Sequence, residues 1–276
     1  TSLANKSARF KFKGVSSHAA AAPERGRSAL DGVEAMNYMV NMMREHVPQE
    51  TRIHYVITRG GEAPNVVPDF AEVYYYVRHP QAEKLQQLWK RVIDISSAAA
   101  LGTGTDVEVE VMHGNHSLLP NEKLARQMHA NLTRVGGIRY NAAEQAFAEE
   151  ISGSLGVGNF IGLEKEILRF ELRQGMGSTD VGDVSWVVPT VGLRTSTWVP
   201  GTAPHSWQAI AAGGTSIGTK GMRVAAKALS LTARDLLLDP ALIEAGRREF
   251  DRRRGENFHY EALLGDRKPP LDYRVK

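Results

Sequence analysis

Four short segments of the chain hold polar residues in settings suited to chemistry. The first is Gly14-Val15-Ser16-Ser17-His18-Ala19-Ala20, directly after an alternating stretch, a loop position from which an imidazole can project into a cleft as donor or acceptor. Taken alone, His18 is an ordinary loop histidine. The second is Gly60-Gly61-Glu62-Ala63-Pro64-Asn65-Val66-Val67-Pro68, where two glycines permit a sharp turn and two prolines stiffen the connector. Asn65 is thereby held, although an Asx turn would explain it equally. The third is Arg78, before His79-Pro80; a guanidinium there can fork onto a carboxylate, and without further context it is a solvated strand end. The fourth is Gly177-Ser178-Thr179-Asp180, followed by His205 in Thr202-Ala203-Pro204-His205-Ser206-Trp207. The first run offers backbone N–H groups and hydroxyls that can cradle an anion. His205 is of metal-ligand type, yet no HExxH motif or clustered His/Cys spacing accompanies it.

The elements that must position these residues follow from periodicity. Ala8 to Lys13 alternates with Phe10 and Phe12 on one face, as a half-buried strand does. The stripe Ala29, Val33, Met36, Val40, Met43, Val47 has helical spacing, and Pro48 ends it. Ile53, Tyr55, Ile57 and Val73, Tyr75, Val77 read as two strands on either side of the Gly/Pro connector. A second helical stripe, Leu85, Leu88, Val92, Ile95, Ala99, precedes the alternating Val107, Val109, Val111. This βαββαβ order predicts a ferredoxin-like α+β sandwich. Beyond Pro120 the pattern predicts a helix at about 121–134, a Gly-rich middle, a strand at Thr190 to Leu193, a helix from Thr215 to Leu238, and another with Asp239 as N-cap and Pro240 at its first position. The tail from Gly265, with Pro269 and Pro270, is expected to be extended.

Composition narrows the function classes. The 276 residues are 42% hydrophobic with a formal net charge of +3, enough for a proper core and too balanced to point to nucleic acid. The arginines at 247, 248, 252, 253 and 254 are interleaved with Glu249 and Asp251, as on a solvated helix face. Absence of cysteine excludes disulfides and thiolate chemistry. No apolar run approaches the ~20 residues that cross a bilayer, so a cytoplasmic protein without membrane contact is expected.

Together the segments resemble the M20 family of metallo-aminoacylases and carboxypeptidases, and within it an amidohydrolase branch. Ser-Ser-His-Ala-Ala-Ala-Ala-Pro at 16–23, Gly-Arg-Ser-Ala-Leu-Asp at 26–31 and Gly-Gly-Glu-Ala-Pro-Asn-Val-Val-Pro at 60–68 are similar to the family's lid-domain signatures. Gly-Ser-Thr-Asp-Val-Gly-Asp-Val-Ser-Trp at 177–186, Pro-His-Ser-Trp-Gln at 204–208 and Ser-Ile-Gly-Thr-Lys-Gly-Met at 216–222 resemble the branch. The resemblance covers nearly the whole chain. It implies a lid and dimerisation domain at 8–118, with 1–7 and 119–276 forming the C-terminal part of an α/β zinc-peptidase-like catalytic domain. It further implies that His18 stabilises an oxyanion in a partner subunit's site, with Asn65 as a second polar contact. Arg78 would grip the substrate carboxylate, the Gly177, Ser178, Thr179 turn would face substrate, and His205 would ligate a divalent metal, Zn²⁺ or Mn²⁺. The expected substrate is an N-acyl amino acid, such as the aroyl-glutamate p-aminobenzoyl-glutamate, and the expected assembly is a homodimer, or a heterodimer with a paralogous subunit. The family's HxD-type motif, bridging residue and Glu-Glu pair do not occur here, so the chain is expected to lack the N-terminal catalytic half and to be inactive alone. The alternative is a non-catalytic subunit that completes a partner's active site.

Overall fold

The computed structural model describes residues 1–266, 269 and 271, so the expected extended tail from Gly265 falls mostly outside the described residues. The chain divides into two compact units. One comprises Thr1–Leu119, Arg173–Val187 and the segment from Phe258 onward; the other comprises Pro120–Leu172 and Val188–Asn257.

In the first unit the strands are β1 (Ala4–Lys13), β2 (Arg52–Arg59), β3 (Phe70–His79) and β4 (Asp106–Asn115). They pair antiparallel in the order β2-β3-β1-β4, which is the ferredoxin-like arrangement expected from the βαββαβ pattern. Helices α1 (Ala29–Met43) and α2 (Ala82–Thr103) pack on one face. The face they cover is apolar because every second strand residue turns towards them. Phe10, Phe12, Val73, Tyr75 and Val77 meet Val33, Met36 and Val40 of α1 and Leu85, Leu88 and Val92 of α2 in one buried cluster. Phe10 and Tyr75 meet edge-on at 5.7 Å, and the buried Tyr75 hydroxyl donates to Asn37 Oδ1 at 2.5 Å. Truncating such a ring to alanine costs about 3–5 kcal/mol. Ser28 caps α1 by accepting from the Asp31 N–H at 3.1 Å. The helix ends at Met43, one turn before the end of its apolar stripe, and residues 44–46 tighten into a 3₁₀ turn.

The opposite face of the sheet is polar, and the strand register sorts it into cross-strand rows. Arg52, Arg78, Asn5 and Asn115 form the first row; His54, Tyr76, Ser7 and His113 form the second. Val56, Tyr74, Arg9 and Glu110 form the third, and Glu72, Lys11 and Glu108 lie in the fourth. A short helix, α5 (Val181–Ser185), completes this unit.

The second unit is helical: α3 (Glu122–Val135), α4 (Ala142–Gly153), α6 (Trp207–Gly213), α7 (Ser216–Leu238) and α8 (Pro240–Arg254). Asn121 caps α3, and the buried Glu249 carboxylate accepts from the Glu122 and Lys123 N–H groups at 3.0 and 2.8 Å, placing negative charge at a helix N-terminus. The α7 and α8 starts fall as the sequence indicates, with Thr215 and Asp239 as caps. On α8, Arg247 and Arg248 pair with Asp251 and Glu244 one turn away on the solvated face that its charge pattern implies, whereas Arg253 pairs with the buried Glu249, which the charge pattern had placed on that face.

Two expectations need correction. Residues 190–193 are not a strand; a short apolar run makes a strand only where a neighbour supplies a hydrogen-bond ladder, and no described segment pairs with this one. The Gly-rich middle contains α4, opened by an Asn141/Glu144 capping box that the apolar pattern does not reveal. Among the described residues, no helix is long and apolar enough to cross a membrane.

Candidate functional site

His18 and Asn65 come together at the Lys13/Phe70 end of the sheet through main-chain hydrogen bonds. Val15 and Arg27 exchange both N–H···O bonds at 2.8 and 2.9 Å, the Gly14 N–H donates to Asp69 O at 2.8 Å, and the Val67 N–H donates to Ser17 O at 3.0 Å. The Ala19 N–H donates to Asn65 O at 3.0 Å, and His18 bridges Val66. Three loops are thus laced into one platform. A side chain at Gly14 would place its Cβ 2.0 Å from Arg27 O, so the lacing requires glycine there. Gly61 turns the third loop at φ 108°, the left-handed region where glycine carries no penalty.

The His18 ring is exposed, and its Nδ1 accepts from the Ala20 and Ala21 N–H groups at 3.2 and 3.1 Å. Backbone amides only donate, so Nδ1 carries the lone pair and the neutral ring holds its proton on Nε2. The platform therefore presents an N–H donor outward, beside the exposed Asn65 amide.

Arg78 lies at the other end of the same strands. Eight residues separate it from Phe70 (78 − 70), which at ~3.3 Å per residue is roughly 26 Å. Its guanidinium sits over the Tyr76 ring, 5.2 Å from the centroid, and donates to Met176 O at 3.5 Å. Arg78 Nε is buried without a hydrogen-bond partner, as are Ser178 Oγ and Asn5 Oδ1. Orphaned buried polar atoms are uncommon, and these three lie at or beside this end. Burial, followed by a hydrogen bond with Tyr74, pushes the Tyr76 hydroxyl up to about 12.

The 177–186 run divides between two tasks. Gly177 O accepts from the Leu3 N–H at 2.8 Å, and Thr179 Oγ1 accepts from the Val181 N–H at 3.3 Å; with Ser178, this turn adjoins Arg78. The remainder is structural. A Cβ on Gly182 would meet His116 O at 2.0 Å, Ser185 Oγ accepts from the Leu119 N–H at 2.8 Å, and Trp186 Nε1 donates to Ser117 O at 2.7 Å. Asp183 takes up Asn115, the His116 N–H and the Tyr260 hydroxyl.

His205, in the second unit, is exposed at φ 62°, the one non-glycine residue with positive φ among those described. Such a conformation costs about 1 kcal/mol or more and concentrates at functional positions. Ser206 beside it caps α6 by accepting from the Ala209 N–H at 3.2 Å. The 216–222 motif is accounted for otherwise: Ser216 donates to buried Glu144 Oε1 at 2.6 Å and Lys220 pairs with Oε2. The Lys220 and Ser216 hydrogen bonds hold the Glu144 carboxyl down at about 2. Among the described residues no three His, Cys, Asp or Glu side chains gather to hold a metal ion, so these residues do not by themselves fit a divalent-metal site.

Arg52, Asn5, Ser7 and Tyr76 escaped the motif reading. Their signal is cross-strand register, which is not visible in one strand's sequence.

Residues 4–103 match the peptidase dimerisation domain of the M20 family. The chain is 36% identical over 274 aligned residues to one of the subunits of the p-aminobenzoyl-glutamate hydrolase of Escherichia coli, covering 90% of this chain and 57% of that protein. It is 33% identical to the Xaa-Arg dipeptidase of Mus musculus, covering 87% and 50%. The chain thus spans about half the length of these relatives. Among solved structures, the aminobenzoyl-glutamate utilization protein of Klebsiella pneumoniae aligns with 50% of this chain and 35% of its own, at 22% identity and TM-score 0.41.

Proposed function

This chain carries the dimerisation domain of the M20 peptidases, a family of divalent-metal-dependent hydrolases, and from that premise we propose that it forms part of an amidohydrolase cleaving the amide bond of an N-acyl amino acid. Residues 8–118 serve as lid and dimerisation domain and the remainder contributes to the catalytic domain. The observation that carries this reading is the division of polar groups between the two ends of one sheet. His18 and Asn65 offer neutral donors at one end. Arg78, with Ser178 and the Gly177 and Thr179 turn, offers a carboxylate grip at the other, roughly 26 Å away along β3. An amide substrate is far shorter, so one lid cannot bring both groups to it. Two copies joined through their lids can, His18 and Asn65 of one facing a substrate gripped by Arg78 of the other.

In this assignment the His18 Nε2–H, fixed by the Ala20 and Ala21 amides, donates to the oxygen that gains charge as the amide carbonyl is attacked. Preorganised donors of this kind contribute most when charge develops in a site that excludes water. Arg78 holds the carboxylate of the amino-acid part, which fixes the scissile bond relative to that donor. His205 is the residue this chain would offer a metal. The further ligands such a metal needs are not gathered among the described residues.

The relatives differ in what they act on by name, p-aminobenzoyl-glutamate in one and Xaa-Arg dipeptides in the other. The aroyl-glutamate is preferred for this chain because the environment of Arg78 is cationic. A mixing experiment with the assembled enzyme tests the reading. His18→Ala and Arg78→Ala enzymes, each impaired alone, should recover activity on co-refolding, because hybrid dimers contain one site with both residues intact. Failure to recover any activity in verified hybrids would place His18 and Arg78 in the same site and sink the division between subunits. Recovery with a paralogous partner, and none between copies of this chain, would instead favour a subunit that completes another protein's site.

A further inference from the structure

We propose that Arg52, beside Arg78 in the first row of the polar sheet face, forms a second carboxylate subsite, so that the amino-acid part of the substrate carries an acidic side chain and a cationic one is rejected. The proposal rests on the reading of Arg78 as the grip for the main carboxylate and adds the recognition of the side chain.

Arg52 and Arg78 are direct cross-strand partners on β2 and β3, so their side chains leave the same face with Cβ atoms ~4.5–5.5 Å apart. Like charges so placed repel. Elsewhere on this face such charges are answered: Arg9 pairs with Glu72 at 3.1 Å, Lys11 with Glu110 at 2.8 Å and Lys13 with Glu108 at 2.8 Å. In the first row, among the described residues, neither arginine is in an ion pair. The acid that reaches this row, Asp183, does so from the β4 edge through Asn115, at the far end from Arg52.

Both guanidiniums are nevertheless braced by neutral groups. Arg52 Nη1 donates to Gln49 O and Thr51 O at 2.8 Å each, and Arg78 is held by Tyr76 and Met176 O. Carbonyl and ring contacts position the cations and leave their charge uncompensated. Behind them, buried Asn5 Oδ1 and the Nε of Arg78 lack partners. In the second row, His54 is held below its ordinary value first by burial and then by Arg78, Arg44 and Arg52. Two fixed cations at neighbouring strand positions, with unfilled polar atoms beside them, match two carboxylates a few bonds apart, as in glutamate or aspartate. They oppose a lysine or arginine side chain.

The test is calorimetric titration of the chain with N-(4-aminobenzoyl)-glutamate and with its γ-amide, N-(4-aminobenzoyl)-glutamine. The acid should bind about tenfold more tightly than the amide, the effect of one charge-assisted contact. Arg52→Gln should bring the acid down to the affinity of the amide and leave the amide unchanged, and Arg52→Lys should restore part of the difference. Equal binding of both compounds by the wild-type chain, equal weakening of both by Arg52→Gln, or no binding of either at millimolar concentration would overturn the subsite. Arg78→Gln separates the two claims. If it leaves both compounds bound as before, the main carboxylate reading fails, whereas loss of both together with an inert Arg52→Gln removes only the second subsite. Unchanged thermal unfolding of each variant shows that the fold is intact.

Discussion

The two ends of the first unit's sheet solve opposite problems. At the His18 end the side chains are exposed and the backbone does the positioning: paired amides and carbonyls join three loops, and the Ala20 and Ala21 N–H groups fix the imidazole tautomer. At the Arg78 end the strands do the positioning, and side-chain polar atoms are left unsatisfied: Arg78 Nε, Ser178 Oγ and Asn5 Oδ1. The first is a donor completed before any ligand arrives. The second is a set of polar groups whose hydrogen-bonding capacity a ligand would complete. A transition-state donor gains from preorganisation, and a recognition site gains from groups that become satisfied on binding.

Substitutions at the two ends should therefore fail in different ways. The largest effect is expected for His18→Ala in the assembled enzyme: a 10²–10³-fold fall in kcat, about 3–4 kcal/mol, with KM little changed. A KM effect of that size with kcat intact would move His18 from the transition state to ground-state binding.

Gly14→Ala attacks the same end through the backbone. The added Cβ would lie 2.0 Å from Arg27 O, and relieving such an overlap costs about 1–3 kcal/mol. Thermal unfolding should show this loss together with a reduced kcat; an unchanged Tm would mean that the loops are not laced as described.

At the other end, Arg78→Ala should raise KM for substrates with a free main carboxylate by about 10–100-fold, the worth of a charged hydrogen-bonded contact, and leave analogues amidated at that carboxylate nearly unaffected. Equal losses on both would remove the carboxylate role.

The smallest effect on catalysis is expected outside both ends, at Glu144→Gln in the second unit. Its carboxyl is held at about 2, against an ordinary value of 4.5, by Lys220 and Ser216. With the folded value depressed, the ionised carboxylate stabilises the fold fully above pH 4.5, and that contribution is lost as pH falls towards 2. Denaturant unfolding of wild type and variant should converge across that window. A stability difference independent of pH would show that Glu144 acts by packing rather than charge, and a kcat change would tie this carboxylate to the chemistry.

The sequence by itself determined α1, α2 and the four strands of the first unit, because their apolar residues recur with a period of 3.6 or 2 on the side that meets the core. It also determined about where α7 begins and the cap at Asp239, whose signals are local. His18, Asn65 and Arg78 stood out because turn-forming glycine and proline, or a strand end, surround them, and their spacing of 47 and 13 residues (65 − 18 and 78 − 65) matched a resemblance. What only the tertiary structure decided is where those residues lie relative to one another. Asn65 and Arg78 are close in sequence and fall at opposite ends of β3, while Arg78 and the 177–179 turn, about a hundred residues apart, adjoin. The pairing of Arg52 with Arg78 was illegible for the same reason: register is a property of two strands, and neither strand's sequence records which residue of the other stands opposite. The strand expected at 190–193 failed on that point too, since an apolar run signals burial and a strand also needs a neighbour to pair with.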